Sequence, residues 1–176
     1  GKLYYRGIEI KDFVQGFLSE DRFGFEECCY LLLFGELPDR KSLEEFTELL
    51  GANRKLPDGF VEDMILKAPS NDIMNKLARS VLASYSYDDN AEDQSLRNLI
   101  RQCVELIARF PAMVAYGYQA KACYYQNKSL YIHRPCSHLS TAENVLHMIR
   151  PDMSYTDLEA KMLDLALVLH AEHGGG

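Results

Sequence analysis

Apolar residues recur every three to four positions along most of this chain, and the interruptions in that rhythm divide it into helices. Asp21 to Gly35 opens on the turn-like Asp21-Arg22-Phe23-Gly24. Phe25, Cys28 and Leu32, with Cys29 and Leu33 beside them, then form a helical stripe that Gly35 closes. Pro38 and Asp39 begin another helix, with Leu43, Phe46 and Leu50 on its buried face and Gly51-Ala52-Asn53 at its end. A short helix is predicted from Phe60 to Lys67, ahead of Pro69.

Ser70-Asn71-Asp72 offers capping oxygens to the next segment, where Ile73, Leu77, Val81 and Tyr85 fall four apart and Met74, Ala78 and Leu82 widen the stripe. Residues 88–93 are an acidic loop, read as a solvated link. From Ser95 onward, Leu96, Leu99, Ile100, Cys103, Leu106, Ile107 and Phe110 make a long amphipathic helix. Pro111 lacks a backbone donor, so a kink or restart is predicted there, with continuation through Met113 and Ala120 toward Tyr124. Residues 126–138 read as irregular. Ser140-Thr141-Ala142-Glu143 is a capping box, and Pro151 stops the helix that it starts. Thr156-Asp157-Leu158-Glu159 repeats the device. The last helix is predicted to carry Leu158, Met162, Leu165 and Leu169 along one side, with Leu163, Ala166, Leu167 and His170 on an adjoining row.

Only Leu3 to Ile10, with aromatic and β-branched residues on both sides of Gly7, suggests strand, as a small hairpin at the edge of the domain. Helix following helix argues an all-α domain rather than an alternating α/β sheet. The 176 residues, 47% hydrophobic and 26% charged, suit one globular domain with a single core.

Charge narrows the function. Nineteen Lys and Arg face 26 Asp and Glu, a net −7, so there is no surplus positive field for phosphates, and neither nucleic acid nor an anionic membrane is expected as a partner. The apolar stretches Leu31 to Phe34 and Leu163 to Leu169, the latter broken by Asp164, fall far short of the ~18 residues of a membrane span. The opening residues lack the apolar core of a secretory signal. A cytoplasmic location is expected. Cys28, Cys29, Cys103, Cys123 and Cys136 are odd in number and scattered, which suggests no disulfide framework.

The densest polar group is His170-Ala171-Glu172-His173 followed by Gly174-Gly175-Gly176. A zinc role would need histidines four apart and a third ligand, and these are three apart. The carbonyl end of a helix favours a cation, which would help His173 stay protonated and meet an anionic ligand; a plain helix cap of His and Gly would look much the same. The glycines follow a helix rather than a strand and so do not make a phosphate loop. His133, Cys136 and His138, with His147 on the next helix, match no zinc-finger spacing and read as loop residues satisfied by water. Cys28 and Cys29 read as small core residues. Tyr116, Tyr118, Tyr124 and Tyr125 are expected to pack between helices or at a subunit contact.

Leu3-Tyr4-Tyr5-Arg6-Gly7-Ile8 and Phe25-Glu26-Glu27-Cys28-Cys29-Tyr30-Leu31-Leu32-Leu33-Phe34-Gly35-Glu36-Leu37-Pro38 resemble the opening of citrate synthases. Ala142-Glu143-Asn144-Val145-Leu146-His147-Met148 and Leu169-His170-Ala171-Glu172-His173-Gly174-Gly175-Gly176 resemble two further blocks in the same order. The resemblance implies an all-α, multi-helical large domain with a small N-terminal β-hairpin, of which residues 1–176 are the N-terminal portion, without the smaller domain that closes over CoA. It implies a parent enzyme, an acyltransferase of the tricarboxylic acid cycle, that condenses acetyl-CoA with oxaloacetate and water to citrate and CoA, with acetyl-CoA as a substrate and no further cofactor.

By its place in the motif His173 resembles the histidine that contacts oxaloacetate, while His170 reads as structural. The catalytic histidine blocks and catalytic Asp of the family are expected beyond Gly176, so the chain alone is expected not to turn over. A homodimer is implied, with dimer helices in the regions matching Asp72 to Tyr85 and Ser95 to Ala120; the severed surface is expected to expose apolar area. Two alternatives stand beside this: a 2-methylcitrate synthase that uses propionyl-CoA, and a non-catalytic helical module that serves only in association.

Overall fold

The computed structural model describes residues 2–172. The hairpin forms as predicted: β1 (Tyr4–Tyr5) pairs antiparallel with β2 (Ile8–Glu9), Tyr5 opposite Ile8. Its two-residue loop has Arg6 and Gly7 both at positive φ, 49° and 87°, the mirror-image turn whose twist matches the strands.

A helix absent from the pattern reading follows at once. α1 (Ile10–Ser19) buries Phe13 and Phe17, one turn apart, against Tyr5, Cys28, Leu31 and Val168. Its stripe, Ile10, Phe13, Val14, Phe17 and Leu18, does have helical spacing, but reading Ile10 as the end of the hairpin cut it off from the helix it starts.

The remaining helices fall where predicted. They are α2 (Phe25–Phe34), α3 (Arg40–Ala52), α4 (Ile73–Ser84), α5 (Leu96–Gln126), α6 (Thr141–Ile149) and α7 (Asp157–Leu169). Asp39, Asp72 and Ser95 each accept a hydrogen bond from a backbone N–H in the first turn of the helix they precede, and Ser140 and Thr156 form complete capping boxes. The segment after Phe60 is a π-helical turn, Val61–Leu66, whose C-terminal end is gripped by Lys76: its buried ammonium donates to the carbonyls of Met64 and Ala68.

α5 runs 31 residues, ~46 Å, with Pro111 inside it and buried, so of the predicted kink or restart the restart does not occur. Of three buried clusters, two are built on α5 and the third lies apart from it. Leu56, Phe60, Ile65, Leu77, Met113, Tyr116 and Met148 form one; Cys29, Phe46, Leu50, Val104 and Ala108 a second; and the hairpin, α1, α2 and α7 close the third around Phe17 and Leu31. Cys28 and Cys29 are core residues, as expected.

Several predicted faces turn the other way. On α7 the buried row is Ala160, Asp164 and Val168, while Leu158 (67% exposed), Met162 (64%) and Leu169 face solvent. On α4 the predicted stripe does face the core, Leu77 buried with Ile73 and Val81 packed beside it, but Met74 and Leu82, expected to widen it, and Tyr85 stand outside. Leu96, Leu99 and Cys103 of α5 are exposed. Of the four tyrosines expected between helices only Tyr116 is buried; Tyr124 and Tyr125 are exposed. Hydrophobic rhythm marked the right helices and, at these exposed positions, the wrong side. The acidic loop is less solvated than expected, because Asp88 clamps Arg101 at 2.7 Å and Gln102 at 3.0 Å.

Candidate functional site

The end of α7 is built from the inside of the molecule outward. The carboxylate of Asp164, 1% exposed, accepts the backbone N–H of Gly24 at 2.7 Å and of Phe25 at 3.1 Å. It therefore caps α2 from 140 residues away, satisfying donors that the helix start cannot pair for itself. Burial pushes its carboxyl up to about 6, reinforced by the charges of Glu26 and Glu143 and opposed by the two N–H donors.

Glu26 repeats the device on α6, accepting the N–H of Thr141 at 2.7 Å. Buried Arg54 lies 3.7 Å from Glu26 and donates to Thr141 Oγ1 and to the Leu139 carbonyl. Desolvation lowers the proton affinity of its guanidinium. The hairpin completes the frame, the Tyr5 hydroxyl donating to the Val168 carbonyl at 2.8 Å inside the core. α7 is thus held at several buried polar points, and its final turn is fixed.

Beside that turn a cleft of about 540 Å³ opens, lined by Tyr4, Tyr5, Arg6, Leu32, Ala171 and Glu172. The Arg6 guanidinium is oriented there by donating to the Leu32 carbonyl at 2.7 and 3.2 Å. His170 is the C-cap of α7, its Nδ1 2.7 Å from the Ala166 carbonyl, so its ring turns back on its own helix. His173, the residue proposed from the motif, lies outside the described residues. Ala171 and Glu172, immediately before it, line the cleft.

A second polar group forms where the sequence suggested only solvated loop residues. His133 stacks on Tyr131, its Nε2 lies 3.0 Å from the Pro151 carbonyl, and its ring centroid lies 6.3 Å from that of His147. Cys136 Sγ sits 3.7 Å from His147 Nε2. His138 is exposed in the same segment. Among the described residues, no three His, Cys, Asp or Glu side chains are grouped to hold a metal ion. A third hollow, about 480 Å³ between α5, α6 and α7, is lined by Phe25, Leu106, Phe110, Val145, Leu163 and Leu167, with Thr141 as its only hydroxyl; it offers shape and no chemistry.

Comparison with known proteins places this architecture. The family described as "Citrate synthase, C-terminal domain" matches residues 1–176. The chain belongs to the citrate synthase family. It is 31% identical over 178 residues to the citrate synthase of Haloferax volcanii, covering 99% of this chain and 44% of that protein. It is 27% identical over 175 residues to the 2-methylcitrate synthase of Shewanella oneidensis, covering 97% and 42%. The crystal structure of citrate synthase from Pyrobaculum aerophilum superposes with a TM-score of 0.79 at 28% identity, covering 98% of this chain and 42% of that one. The chain therefore spans about two fifths of the length of the citrate synthases it matches. The helical architecture with its small hairpin is that of the family.

Sequence reasoning passed over Asp164, Glu26, Arg54 and Lys76, all of them buried charges that hold helix ends in place. Asp164 did leave a trace, as the one charge interrupting an apolar run, but an interruption does not say that the charge points inward.

Proposed function

We propose that these residues form the N-terminal portion of the large helical domain of a citrate synthase, within the region that the family description calls its C-terminal domain. The parent condenses acetyl-CoA with oxaloacetate and water to citrate and CoA. A carboxylate takes a methyl proton from the thioester, a histidine steadies the enol, and the enol carbon attacks the oxaloacetate ketone before water releases CoA. His173 contacts oxaloacetate in this scheme. The observation that carries the reading is the likeness along 98–99% of the chain, whose last described turn opens on the cleft beside Arg6.

The matched segment spans 44% of the Haloferax volcanii enzyme, and we propose that by itself it does not turn over. The parent works in the cytoplasm as a homodimer, with acetyl-CoA as substrate and no further cofactor. Exposed Met74 and Leu82 on α4 and Leu96 on α5 support a pairing face. Among the described residues no helix is long and apolar enough to cross a membrane.

Thiol titration of released CoA tests the activity: the isolated chain is expected to give none, the parent to turn over, and His173→Ala in the parent to lose oxaloacetate affinity. Turnover by the isolated chain comparable with a complete enzyme overturns the inactivity, and a parent that leaves both acyl-CoAs intact overturns the function. The likeness to a 2-methylcitrate synthase favours a second reading, in which propionyl-CoA is the better substrate, and the same assay with both thioesters decides between them.

A further inference from the structure

We infer that Cys136 is a modification site for soft carbon electrophiles of the α,β-unsaturated carbonyl class, with His147 as the base that takes the thiol proton. The inference is independent of the proposed condensation and rests on the group in which Cys136 Sγ lies 3.7 Å from His147 Nε2.

Rigid elements hold the two side chains together. The Cys136 backbone is gripped from both sides by one residue of α6: its N–H donates to Asn144 Oδ1 at 2.8 Å, and its carbonyl accepts from Asn144 Nδ2 at 2.9 Å. Asn144 is fully buried and also donates to the Leu139 and Ser140 carbonyls. α6, which carries both Asn144 and His147, is fixed at its start by the Ser140 capping box and by Glu26. The loop is pinned on its other side by α3, where Gly51 packs so closely on the Ser137 carbonyl that any Cβ would collide with it. The sulfur and the imidazole therefore stay in register without the entropic cost of ordering two loose side chains.

The surroundings suit the reaction. His147 lies in the last turn of α6, with its Nε2 turned to the Cys136 sulfur. Cys136 and His147 are both half-buried, neither sealed in the core nor fully in solvent. The other thiols lack this setting. Cys28 and Cys29 are sealed in the core, where burial pushes Cys28 up to about 12 and Cys29 well above its ordinary range. Cys103 is exposed and Cys123 half-buried on α5, but among the described residues Cys136 is the cysteine whose sulfur lies within 4 Å of an imidazole nitrogen.

In the step itself the thiol proton passes to His147 and the sulfur lone pair forms a bond to the β-carbon. The carbon–carbon π pair shifts to the α-carbon, which recovers a proton from the imidazolium, so nothing is oxidised and no leaving group is needed. Iodoacetamide probes the same first event, with the carbon–iodine bond breaking and iodide leaving.

A short pulse of substoichiometric iodoacetamide on the native 176-residue chain, followed by quenching, digestion and mass spectrometry, reads all five cysteines at once. Cys136 is expected to label about tenfold faster than the more exposed Cys103, because a positioned base outweighs exposure for a thiol. His147→Gln is expected to bring the Cys136 rate down to that of Cys103 and to leave Cys103 unchanged. Labelling of Cys28 and Cys29 reports any variant that has unfolded, and the wild-type ratio is decisive alone. Equal or faster labelling of Cys103 in the wild type overturns the inference, as does a folded His147→Gln whose Cys136 rate is unaltered.

Discussion

The seam joining α2, α6 and α7 and the outer faces of α4, α5 and α7 are built from opposite materials. Inside the seam sit Asp164, Glu26, Arg54 and Asn144, each nearly or fully inaccessible. On the outer faces stand Met74, Leu82, Leu96, Leu158 and Met162, more than 60% exposed. Burial in this chain is thus not simply a matter of apolarity. The seam needs polar residues because helix starts meet there, and their unpaired N–H groups must find acceptors or lose the free energy of a hydrogen bond. The outer faces lack such a demand and keep their apolar stripes uncovered.

The largest test of this contrast is Asp164→Ala, which strands the Gly24 and Phe25 N–H groups in the core. It is expected to lower unfolding free energy by about 2–4 kcal/mol in urea titration, and a loss under ~1 kcal/mol would mean that the cap is dispensable.

A pH titration sharpens the same point. The folded Asp164 carboxyl, at about 6, lies above its ordinary value of 3.8, so the native state holds the proton more tightly than the unfolded chain. The contribution of this residue is therefore fully present below about pH 4 and is lost as pH rises through 6. Relative to Asp164→Asn, the wild type is expected to lose on the order of 1–3 kcal/mol between pH 4 and 7. Asp88 and Glu159, each held at about 2 by arginine partners, act in the opposite sense, losing stability only as pH falls below 4. Parallel wild-type and Asp164→Asn profiles would remove Asp164 as the source.

A smaller effect is expected at the seam's edge. Ser140→Ala removes one acceptor from the start of α6 and should cost about 1 kcal/mol, with Glu143→Ala costing similarly because each holds half of the box. The smallest belongs to the outer face: Leu158→Gln with Met162→Gln should change the stability of the isolated chain by under ~0.5 kcal/mol. A loss of 2 kcal/mol or more there would show that this face is packed rather than open.

Much of the fold could be read along the chain. Asp39, Asp72, Ser140 and Thr156 announced four helix starts through capping chemistry that depends on neighbours three residues away. α1 carried a legible stripe in Ile10, Phe13, Val14, Phe17 and Leu18 and escaped only because Ile10 was assigned to the hairpin, whereas α5 passed its proline because burial on several sides holds the helix through one missing hydrogen bond. The His133, Cys136 and His147 group was visible as residues and invisible as a group, since a segment without periodicity carries no signal of where it folds back.

Local chemistry determined the helices, their caps, the hairpin turn and the acidic charge, because each depends on residues within a turn or two of one another. The direction in which each helix presents its stripe, the inward turn of Asp164 and Arg54, the cleft beside Arg6 and the meeting of Cys136 with His147 were decided only in three dimensions. Those features depend on partners as much as 140 to more than 160 residues distant, and no spacing along the chain records which helix end will need a carboxylate from across the core.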